Sequence, residues 1–158
     1  MKSERSLLNH LESCVEEDLA AQKRLVLLLA DQEAAIVSND AGALALATEA
    51  LEGELRLAPT RSGGRERVLR GLARAWGIHR SALTLSSVAE RAKEGGERIG
   101  DLRQDLRAAT AEVARASRRM AALTTLHRNV VRDVIDALLG AEHESPVLSA
   151  GTLVNAEA

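Results

Sequence analysis

The chain has 158 residues, enough for one domain with a modest core. It contains no Phe, no Tyr and a single Trp, so its core must be aliphatic, and its many Ala, Leu, Glu and Arg residues favour long helices over a sheet. The formal charge is only −2, but residues 1–60 hold five basic and eleven acidic side chains, whereas residues 61–139 hold sixteen and nine. An acidic part packed against a basic helix explains this division. A nucleic-acid surface is not favoured, because the chain lacks aromatic stacking residues and has no basic cluster beyond Arg118 and Arg119.

The sequence predicts a soluble, cytoplasmic protein. The only cysteine, Cys14, can form neither an intrachain disulfide nor a CxxC metal site, which suits a reducing compartment. Because Cys14 stands among apolar helix positions, a packed, inert thiol is favoured over a reactive one. The N-terminal segment carries acidic side chains where a signal peptide needs an apolar core, and the longest apolar run, Leu25–Ala30, is too short to span a membrane.

Two helices are predicted in the first part of the chain. Leucine and valine recur at helical spacing from about Glu4 to Val37. The sequence "SND" at residues 38–40 can end this helix and cap the next one through a side-chain oxygen. A second helix is predicted from about Ala41 to Leu57, with leucines at 44, 51 and 55 on neighbouring turns. The short connection predicts an antiparallel helical hairpin.

The segment "APTRSGGRER", residues 58–67, contains a proline and a glycine pair and is predicted to be a clear break. A short helix from about Glu66 to Trp76 is expected to follow it, and Gly77 to end that helix. Trp76 is interpreted as a core anchor where the short helix meets the long ones. The alternative is a binding hot spot.

A long C-terminal helix is the most regular feature of the sequence. Thr84 or Ser86 is predicted to start a helix before it, and the Gly95-Gly96 pair to kink or break that helix. From Glu97 to Leu139, apolar positions alternate in steps of three and four residues, which predicts one helix packed lengthwise on its partners. The seam consists of Ile99, Leu102, Leu106, Ala109, Val113, Ala116, Met120, Leu123, His127, Val130, Val134 and Ala137. The predicted fold is an all-α, elongated helical bundle or coiled coil, with a helical domain at residues 1–140 and a flexible tail at 141–158.

No catalytic or metal-binding pattern stands out. A phosphotransfer bundle would present a histidine on a helix, but such a histidine is exposed and followed by Lys and Gly, whereas "RNVV" follows His127. We interpret His127 as a polar residue that sets the register of the seam. A di-iron bundle needs Glu three residues before His, and none of the four histidines meets this condition. The sequence also lacks a nucleophile elbow and a phosphate loop. It therefore predicts a protein that is not an enzyme and needs no cofactor or metal.

Apolar residues spread around the last part of the long helix. From residue 126 they cover more than half of its circumference, so two sides of the helix need to be buried. One side is expected to face the chain's own hairpin, and the other the tail, a second copy of the chain or a foreign helix. The residues that form this arc are Leu126, Val130, Val131, Val134, Ile135, Leu138 and Leu139.

The tail has the composition of a segment that becomes ordered on contact. Its sequence "ESPVLSAGTLVNAEA" places Val147, Leu148, Leu153 and Val154 in a background of Ser, Gly and Ala. The alternative is a tail that folds permanently on its own helix.

Several stretches together resemble the FlgN family of flagellar export chaperones. They are "LVLLLADQEAAIVSNDAGALALATEALEGEL", "RERVLRGLARAWGI", "ALTLSSVAERA" and "LHRNVVRDVIDALLG". Their order agrees with the family: a Leu-rich helix with Glu33, an acidic "ND" turn, a short helix ending in "WGI", an "LTL" start, and a long helix with Asn129. The resemblance covers about residues 5–140.

The resemblance implies a cytoplasmic chaperone for the hook-associated proteins of the hook–filament junction. In this family the chaperone holds the amphipathic terminal helix of its client, prevents premature assembly, and delivers the client to the flagellar type III export gate. The predicted client-binding residues are Leu126, Val130, Val131, Val134, Ile135 and Leu138, with Val147, Leu148, Leu153 and Val154 as a secondary set. The alternative function is a self-associating structural coiled coil or adaptor, a homodimer that pairs through the same arc.

Overall fold

The computed structural model describes residues 4–92 and 95–143. Over these residues the chain is all-α and contains no strand, which confirms the predicted fold class. Internal contacts divide the chain into two units, Met1–Leu123 and Thr124–Ala158, and the first unit holds the packed core. The helices are α1 (Glu4–Val37), α2 (Ala41–Arg56), α3 (Ala58–Trp76), a 3₁₀ turn (Arg80–Ala82), α4 (Leu85–Arg91) and α5 (Gly96–His143).

Helices α1 and α2 form the predicted hairpin. Asp40 is the N-cap of α2, and its carboxylate accepts a hydrogen bond from the backbone N–H of Ala43 at 2.9 Å. Gln32, near the end of α1, donates to the hydroxyl of Thr48 in the first half of α2 at 2.9 Å. Earlier in α1, Arg24 donates to Glu54 near the end of α2. These two contacts confirm that the helices run antiparallel.

The predicted break at residues 58–67 is wrong, because this segment is the first half of α3. Pro59 stands in the first turn of the helix, where a missing backbone N–H costs nothing. The two glycines that follow lower helix stability by about 1 kcal/mol each. Ion pairs on both sides of them hold the segment in place: Arg61 contacts Glu54 at 2.8 Å, and Arg65 contacts Asp18. Tertiary contacts therefore outweigh the local preference.

The end of α3, the start of α4 and the start of α5 follow local sequence signals. Gly77 has a φ of 62° and ends α3, as predicted. Thr84 caps α4 by accepting from the N–H of Ser87, whose hydroxyl in turn accepts from the N–H of Thr84. Of the two outcomes left open for the Gly95-Gly96 pair, the structure has the break. A Cβ on Gly96 would lie 2.4 Å from the carbonyl oxygen of Ala89, so only glycine fits at the start of α5.

The core is aliphatic and lies among α1, α3, α4 and the first part of α5. The fully buried Leu11, Leu72 and Val88 are at its centre, and Ile99 and Leu102 contribute from α5. Trp76 and Cys14 are half-buried and pack against this core, as predicted for both. Burial raises the pKa of the Cys14 thiol, and the carboxylate of Glu17 raises it further.

Candidate functional site

The second half of α5 exposes the apolar arc that the sequence predicts. All seven of its side chains are accessible, with exposures between 45% at Val131 and 63% at Leu138. Six of the seven are Leu or Val, and none carries a polar atom in its side chain. The expectation that one of the two apolar sides is buried is therefore wrong.

The arc covers one continuous side of the helix. At about 100° per residue, its members span roughly 220° from Leu126 to Leu139. The remaining strip carries Asn129, Arg132, Asp133 and Asp136. Arg132 donates to the side-chain oxygen of Asn129 at 3.5 Å across one turn of this strip. A partner that lies on the arc can therefore meet a mainly aliphatic surface, which also includes His127 and Arg128 and has mixed charges along one edge.

The polar trio at residues 127–129 has a different setting from the predicted one. His127 is exposed, so none of the described residues forms a packed seam around it, and its interpretation as a register-setting residue of the seam stays a prediction. Its position on the helix falls within the arc, about one turn before Val130 and Val131. Arg128 is exposed, whereas Asn129 is half-buried.

The predicted site residues are partly brought together. Leu126, Val130, Val131, Val134, Ile135 and Leu138 form one surface on consecutive turns of α5. The secondary set, Val147, Leu148, Leu153 and Val154, lies outside the described residues, and the tail's contribution stays a prediction. Of the predicted tail 141–158, residues 141–143 belong to α5.

Among the described residues, the first unit has cavities at three places. One has a volume of about 640 Å³ and is lined by Glu4, Arg5, Leu8, Asn9, Trp76, Arg91 and Gly95. A second, of about 610 Å³, lies between the start of α4 and α5 around Leu85 and Leu106. Ser86, which lines the second cavity, donates to the carboxylate of Glu90 at 3.5 Å, one turn further along α4. Across residues 4–92 and 95–143, no three His, Cys, Asp or Glu side chains are placed to hold a metal ion.

The carboxyl groups with altered pKa values serve as ion-pair partners. A hydrogen bond from Arg24 lowers the pKa of Glu54, and one from Arg80 lowers the pKa of Glu66. Arg80 contacts Glu66 at 2.6 Å, so this pair fastens the 3₁₀ turn to α3. Both pairs join helices of the first unit, and their role is structural. In the part of the chain with described coordinates, no helix is both long and apolar enough to cross a membrane.

Sequence reasoning missed a second group of accessible apolar side chains on the hairpin. Leu27 and Val37 on α1 are 66% and 74% exposed, and Leu46 on α2 is 70% exposed. Leu55, which was grouped with Leu44 and Leu51 on neighbouring turns of α2, is also exposed, at 51%. Leu46 could have been found from a second three-and-four spacing on α2, beside the one that includes Leu44 and Leu51. Leu27 and Val37 could have been found from the same spacing on α1.

Compared with known proteins, the chain matches no protein-family model, no curated protein and no solved structure.

Proposed function

We propose that this protein is a cytoplasmic export chaperone that binds the amphipathic terminal helix of a hook-associated protein. It prevents premature assembly of that client and delivers it to the flagellar type III export apparatus. The observation that carries the proposal is the exposed aliphatic arc on the second half of α5. The resemblance of the chain to the FlgN family supplies the identity of the client.

The arc suits a helix-in-groove or helix-on-helix mode of recognition. An amphipathic helix presents its own apolar residues at the same three-and-four spacing, so successive turns of the two helices can interdigitate. A partner that covers about half of the exposed arc removes on the order of 300 Å² of apolar surface from water, worth about 8 kcal/mol before ordering costs. Apolar burial of this kind requires no nucleotide or metal.

The strip beside the arc supports recognition of one orientation. It carries Arg132, Asp133 and Asp136, so both signs of charge are available along its edge. Charges at the rim of an apolar interface chiefly set orientation and association rate. We therefore expect binding to weaken only modestly at high salt, whereas the rate of association falls.

The proposal is tested with Val131→Asp and Ile135→Asp in the full chain. Each places a carboxylate in the centre of the arc, and we expect each to lower affinity for a hook-associated protein by at least about 100-fold, because an unpaired charge resists burial. Isothermal titration calorimetry gives the affinity, and circular dichroism checks that helix content is retained. The matched control is Asn129→Asp, which makes the same change of charge on the polar strip and is expected to bind normally.

Normal binding by both arc variants would contradict the proposal. The chaperone activity has its own readout: light scattering of the polymerising client is expected to be suppressed by the wild-type chain and not by Ile135→Asp. Suppression by both proteins would show that the arc is not the client-binding surface.

The alternative, a self-associating structural coiled coil or adaptor, uses the same arc. Its distinguishing result is a dimer in sedimentation velocity that Val131→Asp and Ile135→Asp both convert to a monomer. Such a result would replace the chaperone proposal, because the arc would then be covered by a second copy.

A further inference from the structure

Helix α2 carries an apolar seam on the side that does not face α1. Its members follow one another in steps of three and four residues, which places them on one side of the helix. Leu46 is 70% exposed and Leu57 is 53% exposed. The other three positions of the seam hold Ala or Gly. The outer seam consists of Ala43, Leu46, Ala50, Gly53 and Leu57.

The outer seam is distinct from the face that α2 turns towards α1. That inner face includes the buried Ala47, and Thr48, whose hydroxyl accepts from Gln32. On the outer side, a Cβ built on Gly53 would meet no atom within 4 Å, so the seam is open there. Leu57 follows the last residue of α2 but keeps right-handed helical dihedrals, so it continues the seam by one turn.

We propose that the outer seam pairs with the same seam of a second copy of this chain, with the two α2 helices antiparallel. The seam complements itself in this arrangement. When Leu46 lies opposite Leu57 of the second copy, Ala50 lies opposite Gly53 of the second copy, and the two-fold axis repeats both layers. The small residues at the centre let the helices approach closely, and the leucines at both ends fill the space beyond them.

Charge complementarity selects a second copy as the occupant. In heptad terms, with Ala43 at position a, both Glu49 and Arg56 fall at position g beside the seam. The antiparallel alignment brings Glu49 close to Arg56 of the second copy, and symmetry makes this contact twice. Within the described chain neither side chain has an ion-pair partner; Arg56 donates only to the backbone carbonyl of Glu52 in its own helix.

Helix α1 extends the same surface. Leu27, Ala30, Ala34 and Val37 are exposed at steps of three and four residues. The ion pair of Arg24 with Glu54 links the hairpin helices on this side, since Arg24 lies one turn before Leu27 and Glu54 lies beside Gly53. If each copy contributes both α1 and α2, the interface buries more area than α2 alone can provide. This brings the buried area towards the roughly 800 Å² per partner that a specific interface needs.

Sedimentation velocity of the full chain over a wide concentration series tests the proposal. The wild type is expected to shift from monomer to dimer as concentration rises. Leu46→Asp is expected to raise the dissociation constant by at least about 100-fold, because symmetry buries the new carboxylate twice. Ala45→Asp is the matched control, because it adds the same charge to the same helix at an exposed position outside the seam. It is expected to leave the dimer intact. Circular dichroism confirms that both variants fold.

Charge reversal tests the register. Glu49→Arg alone and Arg56→Glu alone each place like charges opposite one another, and each is expected to raise the dissociation constant about tenfold. An equimolar mixture of the two variants is expected to form heterodimers at wild-type concentrations, because both contacts are then between opposite charges. The double variant Glu49→Arg/Arg56→Glu is likewise expected to dimerise as the wild type does.

Two results would overturn this inference. One is a wild-type chain that stays monomeric at every concentration, and the other is a dimer that Leu46→Asp leaves unchanged. The inference does not depend on the proposed function, because the two surfaces are altered separately. A dimer that is lost in Ile135→Asp but kept in Leu46→Asp contradicts the inference and supports pairing through the arc of α5. Loss of client binding in Ile135→Asp has no bearing on the α2 seam.

Discussion

The first and second halves of α5 carry apolar residues at the same spacing but in opposite surroundings. Ile99 and Leu102 are 1% and 2% exposed, whereas Val130 and Val134 are both 52% exposed. Between them burial declines by degrees: Ala109 and Ala116 are still buried, and Leu123 is half-buried. The difference teaches that a heptad spacing predicts a face of a helix but does not identify what covers that face. In the first half the cover is the chain's own core, and in the second half the face is open.

The largest expected effect comes from trimming one side chain in each half. Leu102→Ala should lower the free energy of unfolding by about 3 kcal/mol, because it leaves a cavity in the core. Val134→Ala should change it by less than about 0.5 kcal/mol, because the side chain is half exposed and Ala favours the helix. Urea unfolding followed by circular dichroism measures both values. An equal loss in the two variants would mean that the second half is also buried, and would remove the contrast.

Glycine substitutions at the start of α5 test how closely its buried half packs against α4. Gly96→Ala should lower the free energy of unfolding by about 2 kcal/mol, because the new Cβ forces the backbone away from the carbonyl of Ala89. Gly100→Ala, one turn later, meets only the Cβ of Ala89 at 3.8 Å and should raise stability by about 0.5 kcal/mol. Thermal unfolding of both variants gives the difference. Equal stability would show that the junction can shift freely.

Acid should weaken the packed unit through Glu54, the carboxylate that binds Arg24 and Arg61. Its folded pKa lies below the unfolded value, so its contribution is present at neutral pH and is lost as pH falls through the folded pKa. Because Arg24 is half exposed to solvent, we expect Glu54→Gln to lower stability at pH 7 by no more than about 1 kcal/mol. Urea unfolding between pH 7 and about pH 3 should show the difference between the wild type and the variant narrowing as the pH falls below the unfolded carboxyl pKa of about 4.3. If the difference in free energy of unfolding stayed constant across this range, ionisation of Glu54 would not be its cause.

The smallest effect concerns accessibility of thiols in the two regions. Cys14 is half-buried with a raised pKa, so at neutral pH its thiol stays protonated and reacts slowly with a disulfide reagent. A cysteine placed on the arc by Val131→Cys should react at least about tenfold faster, as an exposed thiol. The variant is expected to show two phases in a thiol-exchange assay, and the wild type only the slow one. A single common rate would mean that the arc is covered.

Local sequence signals predicted most of the helix boundaries. The first helix, Glu4–Val37, was predicted with the bounds that the structure has, and Asp40, Gly77 and Thr84 act as the expected caps. Such signals succeed because a cap depends on atoms within a few residues of itself. The boundary at residues 58–67 failed because it depends on Asp18 and Glu54, which are remote in sequence and contact arginines of α3.

The candidate site was predictable only as a pattern. The apolar spacing predicted which residues of α5 form the arc, since side chains three and four residues apart share a face. Exposure of both sides of the arc was not predictable, because a sequence does not state how far its own core extends along a helix. The outer seam of α2 was missed for a related reason. Leu44 and Leu51 already supplied one apolar face, and Leu46 was not recognised as part of a second.

Trp76 gives this molecule an unusual optical property. It is the only aromatic side chain in the chain, and it is half-buried against the core of the first unit. Its fluorescence therefore originates from one place, and no other indole or phenol contributes to the emission. Emission during denaturation reports the melting of that core alone, whereas circular dichroism adds up every helix. Separation of the two curves would measure directly how independently the last turns of α5 lose their helical structure.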